Sequence, residues 1–472
     1  MVRTRQIDLA SQESFFSNAL NGLGRAWREI ARLSGRDREN NESRPEILIK
    51  QIEACLAGQG GEVSARGRAA GLARSYLVFS PSERLVFLKL LASDFGPDRV
   101  KVTKAIDRLR KASDDDEIER RQRELREALQ PTRITILRKF NTLESGPRFL
   151  VELRRELLEL KGEHPELEHL ERDLKELLNT WFDVGFLSLR AINWDAPASL
   201  LEKLGHYEAV HRIRSWHDLK NRLETDRRCY AFFHPCMTDE PLIFIEIALV
   251  NGLANQIQIL LDQKAQILDA DDADTAIFYS ISNTQQGLAG IKFGNFLIKQ
   301  VVDRLRHELP NLKRFSTLSP IPGYLSWLKK SLKKDVLEFK SAEIRKLKAV
   351  SEESLSPDLL LGFLANLRWS KNEELAETLR PILMRFAAIY LLKEKRPDGR
   401  RALDPVAHFH LSNGARMEQL NWMGDTSSKG LRESGGLMIN YLYRLDRIDR
   451  FHEDYAASGT ISASSTISAL LK

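Results

Sequence analysis

The chain has 472 residues, 42% of them hydrophobic and 29% charged, which excludes disordered and fibrous classes and exceeds one ordinary core. Its 72 basic residues nearly balance 66 acidic ones, leaving a net charge of +6. That excludes the one-sided charge of a dedicated nucleic-acid binder and still permits a local basic patch around a phosphorylated ligand.

The N-terminal stretch, Met1 to Ser34, is amphipathic with a few arginines and has no signal-type apolar core. Asp8, Glu13 and Glu29 set it apart from an organelle leader, so a cytoplasmic protein is expected. Residues 1–180 read as an all-α helical bundle. Ser80-Pro81-Ser82-Glu83 predicts a helix start with a capping box, and Gly96-Pro97 a stop. Asp114–Glu127 is a mixed-charge helix broken at Pro131, either a solvated face or a docking surface. Phe149–Leu160 and Leu167–Trp181 predict amphipathic helices, and some of the apolar faces are expected to meet another copy of the chain.

Composition changes between Trp181 and Pro197, and residues 181–472 read as an α/β domain, making the fold class α+β. Cys229–His234 predicts a strand, His234–Pro241 a turn, Leu242–Val250 a buried strand and Ala276–Ile281 another. Helices are expected at Gly294–Leu309, Gly323–Phe339, Pro357–Asn366 and Glu373–Leu392, and the Ala/Ser/Thr-rich tail after Ala456 is expected to fray. Cys55, Cys229 and Cys236 have no metal-type spacing and form no disulfide framework, so reduced thiols are expected.

The most informative pattern is strand, polar turn, glycines, helix: Ala276–Ile281, then Ser282–Gln286, then Gly287, Gly290 and Gly294, then Asn295–Val302. Glycines let backbone amides approach an anion, and a helix start supplies free N–H groups with the dipole behind them. A pyrophosphate fits such a turn, and so does a glycine turn with no ligand. The layout resembles the pyrophosphate arm of GNAT-type acyltransferases, with Gln286 and Gly290–Gly294 in the matching places.

Longer stretches are more specific. Tyr279–Leu288, Leu318-Ser-Pro-Ile-Pro-Gly323, His408–Ala415 followed by Asn421-Trp-Met, and Gly435–Tyr443 resemble the malonyl-CoA decarboxylase family in order and spacing, across nearly all of residues 180–445. The resemblance implies a GNAT-like catalytic domain behind a helical oligomerisation domain, and a homo-oligomer, dimer or tetramer. It implies decarboxylation of malonyl-CoA to acetyl-CoA and carbon dioxide. It also implies Ser319 and His410 as an acid–base pair, with His410 as proton donor and Ser319 as its acceptor partner. Coenzyme A phosphates would be held by Gln286 and the backbone of Ala289, Gly290, Ile291, Lys292, Phe293, Gly294 and Asn295.

The residues alone leave these roles open. Ser319 is a reactive hydroxyl or a turn hydroxyl. His410 is structural or chemical, and at strand spacing from His408 it suggests a metal that no carboxylate or thiol cluster joins, so no metal is expected. The thioester itself delocalises the charge left by carbon dioxide, so PLP, thiamine and biotin are not demanded, and neither nucleic acid nor membrane is an expected partner. Asn413 and Asn421 are second-tier oxyanion donors. Tyr441 and Tyr443 could place a phenol at the site, but two residues apart they are not expected to face it together. Glu246 is a paired core carboxylate or a site member. The end Ala-Leu-Leu-Lys472 lacks a peroxisomal Ser-Lys-Leu signal. An acyltransferase on the same fold and a non-catalytic acyl-CoA sensor are the competing readings.

Overall fold

The computed structural model describes residues 44–57, 61–291, 297–351 and 356–472. The N-terminal expectation for Met1–Ser34 and the site residues Lys292, Phe293, Gly294 and Asn295 lie outside them. The first part is helical: α1 (Arg44–Leu56), α2 (Glu62–Val78), α3 (Pro81–Ser93), α4 (Arg99–Lys111), α5 (Asp115–Ala128), α6 (Thr132–Asn141), α7 (Gly146–Leu160) and α8 (Glu168–Trp181). The Ser80 hydroxyl accepts from Glu83 N–H while the Glu83 carboxylate accepts from Ser80 N–H at 2.8 Å, so the predicted capping box starts α3. α7 buries Phe149, Leu150, Val151, Leu153 and Leu157 against its neighbours. Nothing in α5 is buried, so its charges are a solvated face within the chain.

The second part is a mixed eight-stranded sheet flanked by helices, in the order β1-β2-β3-β4-β5-β8-β6 with β7 on β8. Its elements are β1 (Ser188–Ile192), α9 (Ala198–Tyr207), α10 (Trp216–Asn221), β2 (Arg227–His234), β3 (Met237–Val250), α11 (Ile257–Leu260), β4 (Thr275–Asn283), α12 (Leu297–Glu308), β5 (Arg314–Thr317) and β6 (Ser319–Pro320). After them come α13 (Tyr324–Lys333), α14 (Ser341–Ser351), α15 (Pro357–Ala365), α16 (Glu373–Leu392), α17 (Pro405–Ser412), β7 (Arg416–Asn421), α18 (Ser428–Ser434), β8 (Met438–Leu442), α19 (Ile448–Ser458) and α20 (Ser465–Ala469). Among the named strands, only β4 and β5 pair in parallel. A parallel pair needs a crossover, and α12 supplies it. One hydrophobic core runs from Leu48 in α1 to Ile467 in α20 and joins the two parts. No helix among the described residues is long and apolar enough to cross a membrane.

Several expectations are corrected. The turn after β2 does not extend to Pro241: β3 already begins at Met237, and register shifts between Phe232 and His234 absorb the irregular pairing. The helix expected at Gly323–Phe339 stops at Lys333, and Asp335 then takes a positive φ of 54°. The tail is docked rather than frayed. Ser464 N–H donates to Met417 O at 2.8 Å, the Ser464 hydroxyl donates to Glu418 O at 2.6 Å, and Ile467 is fully buried.

Candidate active site

Two adjacent parallel strands leave the sheet at the same end, and each delivers a candidate site residue there. In open sheets, ligands collect outside the carboxyl ends of such strands. β4 runs into the turn Gln286–Gly290. Leu288 N–H donates to Gln285 O at 2.9 Å, Ala289 N–H to Gln286 O at 3.0 Å, and Gly290 has a φ of 71°, which glycine adopts without strain. Gln286, Ala289 and Gly290 are exposed, whereas Gly287, Leu288 and Ile291 are buried. α7 clamps this turn from below. The Arg154 guanidinium, 1% exposed, donates to Gly287 O at 2.5 Å and Ala289 O at 2.8 Å, and is paired with Glu171 of α8.

β5 ends at Thr317 and the chain re-forms as β6 at Ser319. A residue before proline is pushed towards extended backbone, so Pro320 helps fix Ser319 in the strand that pairs with Ile439. Ile321-Pro322-Gly323-Tyr324 closes as a β-turn, with Tyr324 N–H donating to Ile321 O at 3.2 Å. A Cβ at Gly323 would lie 2.2 Å from the Tyr390 hydroxyl, so only glycine fits there.

His410 comes from α17. Asp404 caps this helix by accepting from Ala407 N–H at 2.8 Å, and Pro405 fills its first position. The helix ends in a Schellman closure: Ala415 N–H donates to His410 O and Gly414 N–H to Leu411 O, both at 3.1 Å, with Gly414 at φ 78°. The backbone of His410 is itself part of that closure. The pair His408/His410 is therefore not at strand spacing. On a helix, residues two apart point to nearly opposite sides. His408 Nδ1 meets the Tyr455 hydroxyl at 2.8 Å, while His410 faces Ser319.

The centre is a chain of hydrogen bonds. The Ser319 hydroxyl donates to Thr317 Oγ1 at 2.8 Å and lies 3.1 Å from His410 Nε2, and His410 Nδ1 lies 2.7 Å from the Tyr443 hydroxyl. Since the Ser319 proton points at Thr317, His410 Nε2 carries hydrogen and Nδ1 accepts from Tyr443. Ser319 and His410 are 5% and 3% exposed. Burial lowers the imidazole pKa to about 3 and pushes the Tyr443 phenol well above its ordinary range, so both stay neutral near pH 7. Tyr441 stacks on the imidazole, with ring centroids 4.5 Å apart and planes 26° apart. The expectation that Tyr441 and Tyr443 cannot both face the site is thus overturned. Side chains two apart along an extended chain share a face.

The second-tier asparagines are committed elsewhere. Asn413 Nδ2 donates to Phe409 O at 2.8 Å at the end of α17. Asn421 Nδ2 donates to Asn440 Oδ1 at 2.7 Å and its Oδ1 accepts from Gln419, while Asn440 Nδ2 holds Thr317 O at 2.8 Å. Both support the frame around the site. Glu246 falls on the core side of its two readings, accepting from Arg222 at 2.9 Å.

Comparison with known proteins agrees with the motifs. A family profile described as malonyl-CoA decarboxylase C-terminal domain matches residues 185–472, and one described as its N-terminal domain matches residues 95–182. The chain belongs to the malonyl-CoA decarboxylase family. The mitochondrial malonyl-CoA decarboxylase of Anser anser anser is 36% identical over 465 residues, covering 93% of this chain and 91% of that one. The Rattus norvegicus protein of the same name is 40% identical over 358 residues, covering 74% and 72%. The crystal structure of malonyl-CoA decarboxylase from Rhodopseudomonas palustris superposes with a TM-score of 0.82 at 42% identity, covering 90% of this chain and 99% of that one. That from Agrobacterium vitis gives 0.81 at 39% identity, covering 90% and 100%. The family is one of carboxy-lyases, and this chain is an enzyme of that class.

Sequence reasoning missed Thr317, Arg154 and Asp404. Thr317 stands two residues before Ser319, the spacing that puts both on one strand face. Arg154 stands four after Leu150 and three before Leu157, a charge inside an apolar stripe, which signals a buried, paired cation. Asp404 directly precedes a proline-started helix, a cap signal.

Proposed function

We propose that the chain converts malonyl-CoA to acetyl-CoA and carbon dioxide through a thioester enolate, with Ser319 and His410 as the acid–base pair. The observation that carries this reading is the buried relay Tyr443–His410–Ser319–Thr317 at the end of β5, the strand parallel to the one that runs into the glycine turn. The carbon–carbon bond to the carboxylate breaks, carbon dioxide leaves, and the electron pair moves into the thioester as an enolate. Ser319, turning its O–H away from Thr317, gives its proton to the α-carbon and takes the proton on His410 Nε2. Tyr443 lends a proton to Nδ1 as Nε2 gives its own up, and after product leaves Tyr443 takes that proton back while solvent reprotonates Nε2. An enolate is a far stronger base than imidazole, so a neutral ring suffices as donor. Neutral histidine serves as an electrophile in the same sense elsewhere. Burial around the pair also keeps water from competing for the enolate.

Ala289 and Gly290, which are exposed, hold the coenzyme A phosphates in this reading together with the stretch up to Asn295 that lies partly outside the described residues. The GNAT-like layout belongs to the same proposal and rests on the order β4, turn, α12, β5 with β4 and β5 parallel. So does assembly through the N-terminal helices, where Val63, Val78, Val86 and Val100 are exposed. Light scattering tests it, and a monomer at micromolar concentration counts against it. We also keep a cytoplasmic, reducing location, since Cys55, Cys229 and Cys236 are all unpaired within the chain.

The test is incubation of the purified protein with malonyl-CoA and no acceptor. Acetyl-CoA and carbon dioxide should appear in equal amounts; coenzyme A binding without turnover would leave a sensor instead. Ser319→Ala and His410→Ala should each lower kcat at least about a hundredfold, the scale of general acid–base catalysis, with coenzyme A affinity retained. Full activity in either variant removes that residue from the mechanism.

A further inference from the structure

We propose that the helical half supplies part of the ligand site: Lys175 of α8 is a phosphate-binding cation that acts with the Gly287–Gly290 turn on the diphosphate of coenzyme A. This rests on the reading of that turn given above and adds to it a residue from outside the sheet domain. The Lys175 ammonium lies 3.4 Å from the point a Cβ at Gly290 would occupy, so it stands directly over the exposed part of the turn. Among the described residues it has neither an ion-pair nor a hydrogen-bond partner. The nearest carboxylate on its own helix face, Glu171 one turn earlier, is already taken by Arg154 at 2.8 Å and Lys161 at 3.4 Å. Among the described residues, Glu171 therefore serves Arg154 and Lys161 at the foot of the turn, and Lys175 has no carboxylate of its own.

The turn is built onto these helices. A Cβ at Gly287 would lie 1.8 Å from Val151 O, so turn and α7 are in backbone contact. Arg154, tied to Glu171, fixes the carbonyls of Gly287 and Ala289. Those carbonyls are turned inward to the guanidinium and the Ala289 N–H is given to Gln286 O, which leaves the Gly290 amide at the exposed end of the turn. Among the described residues the Gly290 N–H has no acceptor. An amide without an acceptor next to an unpaired ammonium is the chemistry of a phosphate oxygen site. Lys175 is half-buried, so it has less side-chain freedom to lose on binding than a fully exposed lysine.

The experiment is titration calorimetry of the full chain with coenzyme A, 3′-dephospho-coenzyme A and pantetheine, for the wild type and for Lys175→Arg, Lys175→Met and Lys175→Glu. Loss of one charge-assisted contact at a partly exposed site should weaken coenzyme A about tenfold in Lys175→Met. Lys175→Glu should be weaker still and Lys175→Arg within about threefold of wild type. A folding defect would not follow that charge order. The same loss should appear with 3′-dephospho-coenzyme A, which keeps the diphosphate, and none with pantetheine, which lacks it. If wild type binds coenzyme A and the Lys175 variants bind it equally well, this inference is wrong and the turn stands without it. If the loss disappears with 3′-dephospho-coenzyme A, the assignment to the diphosphate is wrong. If wild type binds no coenzyme A, the turn's role falls and this inference with it. Binding without decarboxylation would strike only the proposed reaction.

Discussion

Replacing Tyr443 with phenylalanine removes one oxygen from the relay and little else. The ring's edge contact with Phe278, at 6.3 Å between centroids, remains, so the packing loss is small. What goes is the 2.7 Å bond to His410 Nδ1, between groups 2% and 3% exposed. A buried acceptor left without its donor costs about 1–3 kcal/mol, so the urea midpoint should fall by a corresponding amount at unchanged slope. The catalytic effect should be larger than the loss of tautomer preference alone, which would be roughly twofold if both tautomers became equal. The donor that refills the imidazole is also gone, so kcat should fall about 10- to 100-fold, the lower part of the range for lost proton transfer. Coenzyme A affinity should stay within about twofold. Turnover is followed by chromatographic separation of acetyl-CoA, and the tautomer by nitrogen chemical shifts of the labelled imidazole. A kcat within twofold of wild type, or shifts placing the proton on Nδ1 in the wild type, would refute the relay as drawn.

One buried and two half-buried histidines should make the fold acid-sensitive. Burial lowers His410 to about 3, and His211 and His408 to about 4, from 6.5. Their unfolded forms bind protons that the folded forms refuse, so the stability is fully present above about pH 6.5 and is lost as pH falls from there toward 3. Each fully buried ring contributes at most about 1.4 kcal/mol per pH unit. Melting temperature should drop steeply from pH 6.5 to 4 and less steeply in His410→Gln; equal slopes would show that this ring does not resist protonation. Gly287→Ala places a Cβ 1.8 Å from Val151 O. It should separate turn from helix, lowering both melting temperature and coenzyme A affinity by calorimetry. Unchanged affinity would uncouple α7 from the turn.

Much of the local structure was legible because its causes are local. The capping box at Ser80, the strand at Leu242–Val250 and the long helix Glu373–Leu392 follow from neighbours along the chain. The departures have two causes, distant contacts in the tail and a local cap in the histidine stretch. The Ala/Ser/Thr-rich tail has weak helix propensity and is held by tertiary contacts: Met417 O and Glu418 O of β7 accept from Ser464, and Ile467 is buried in the core. His408 and His410 alternate with apolar residues as a strand would, yet the Asp404 cap and Pro405 make that stretch a helix.

By itself the sequence determined the family, through the multi-residue stretches around Ser280, Ser319, His410 and Tyr441, and with it the candidate pair of hydroxyl and imidazole. The tertiary structure alone decided how the parts act together. Ser319 and His410 are 91 residues apart, and only the pairing of β6 with β8 and the packing of α17 bring them within 3.1 Å. Arg154 and Gly287 are 133 residues apart, and the helical half reaches the Gln286–Gly290 turn because the two parts share one core. Spacing along a chain reports faces of single elements, whereas a site assembled from four elements is fixed by how those elements close on each other.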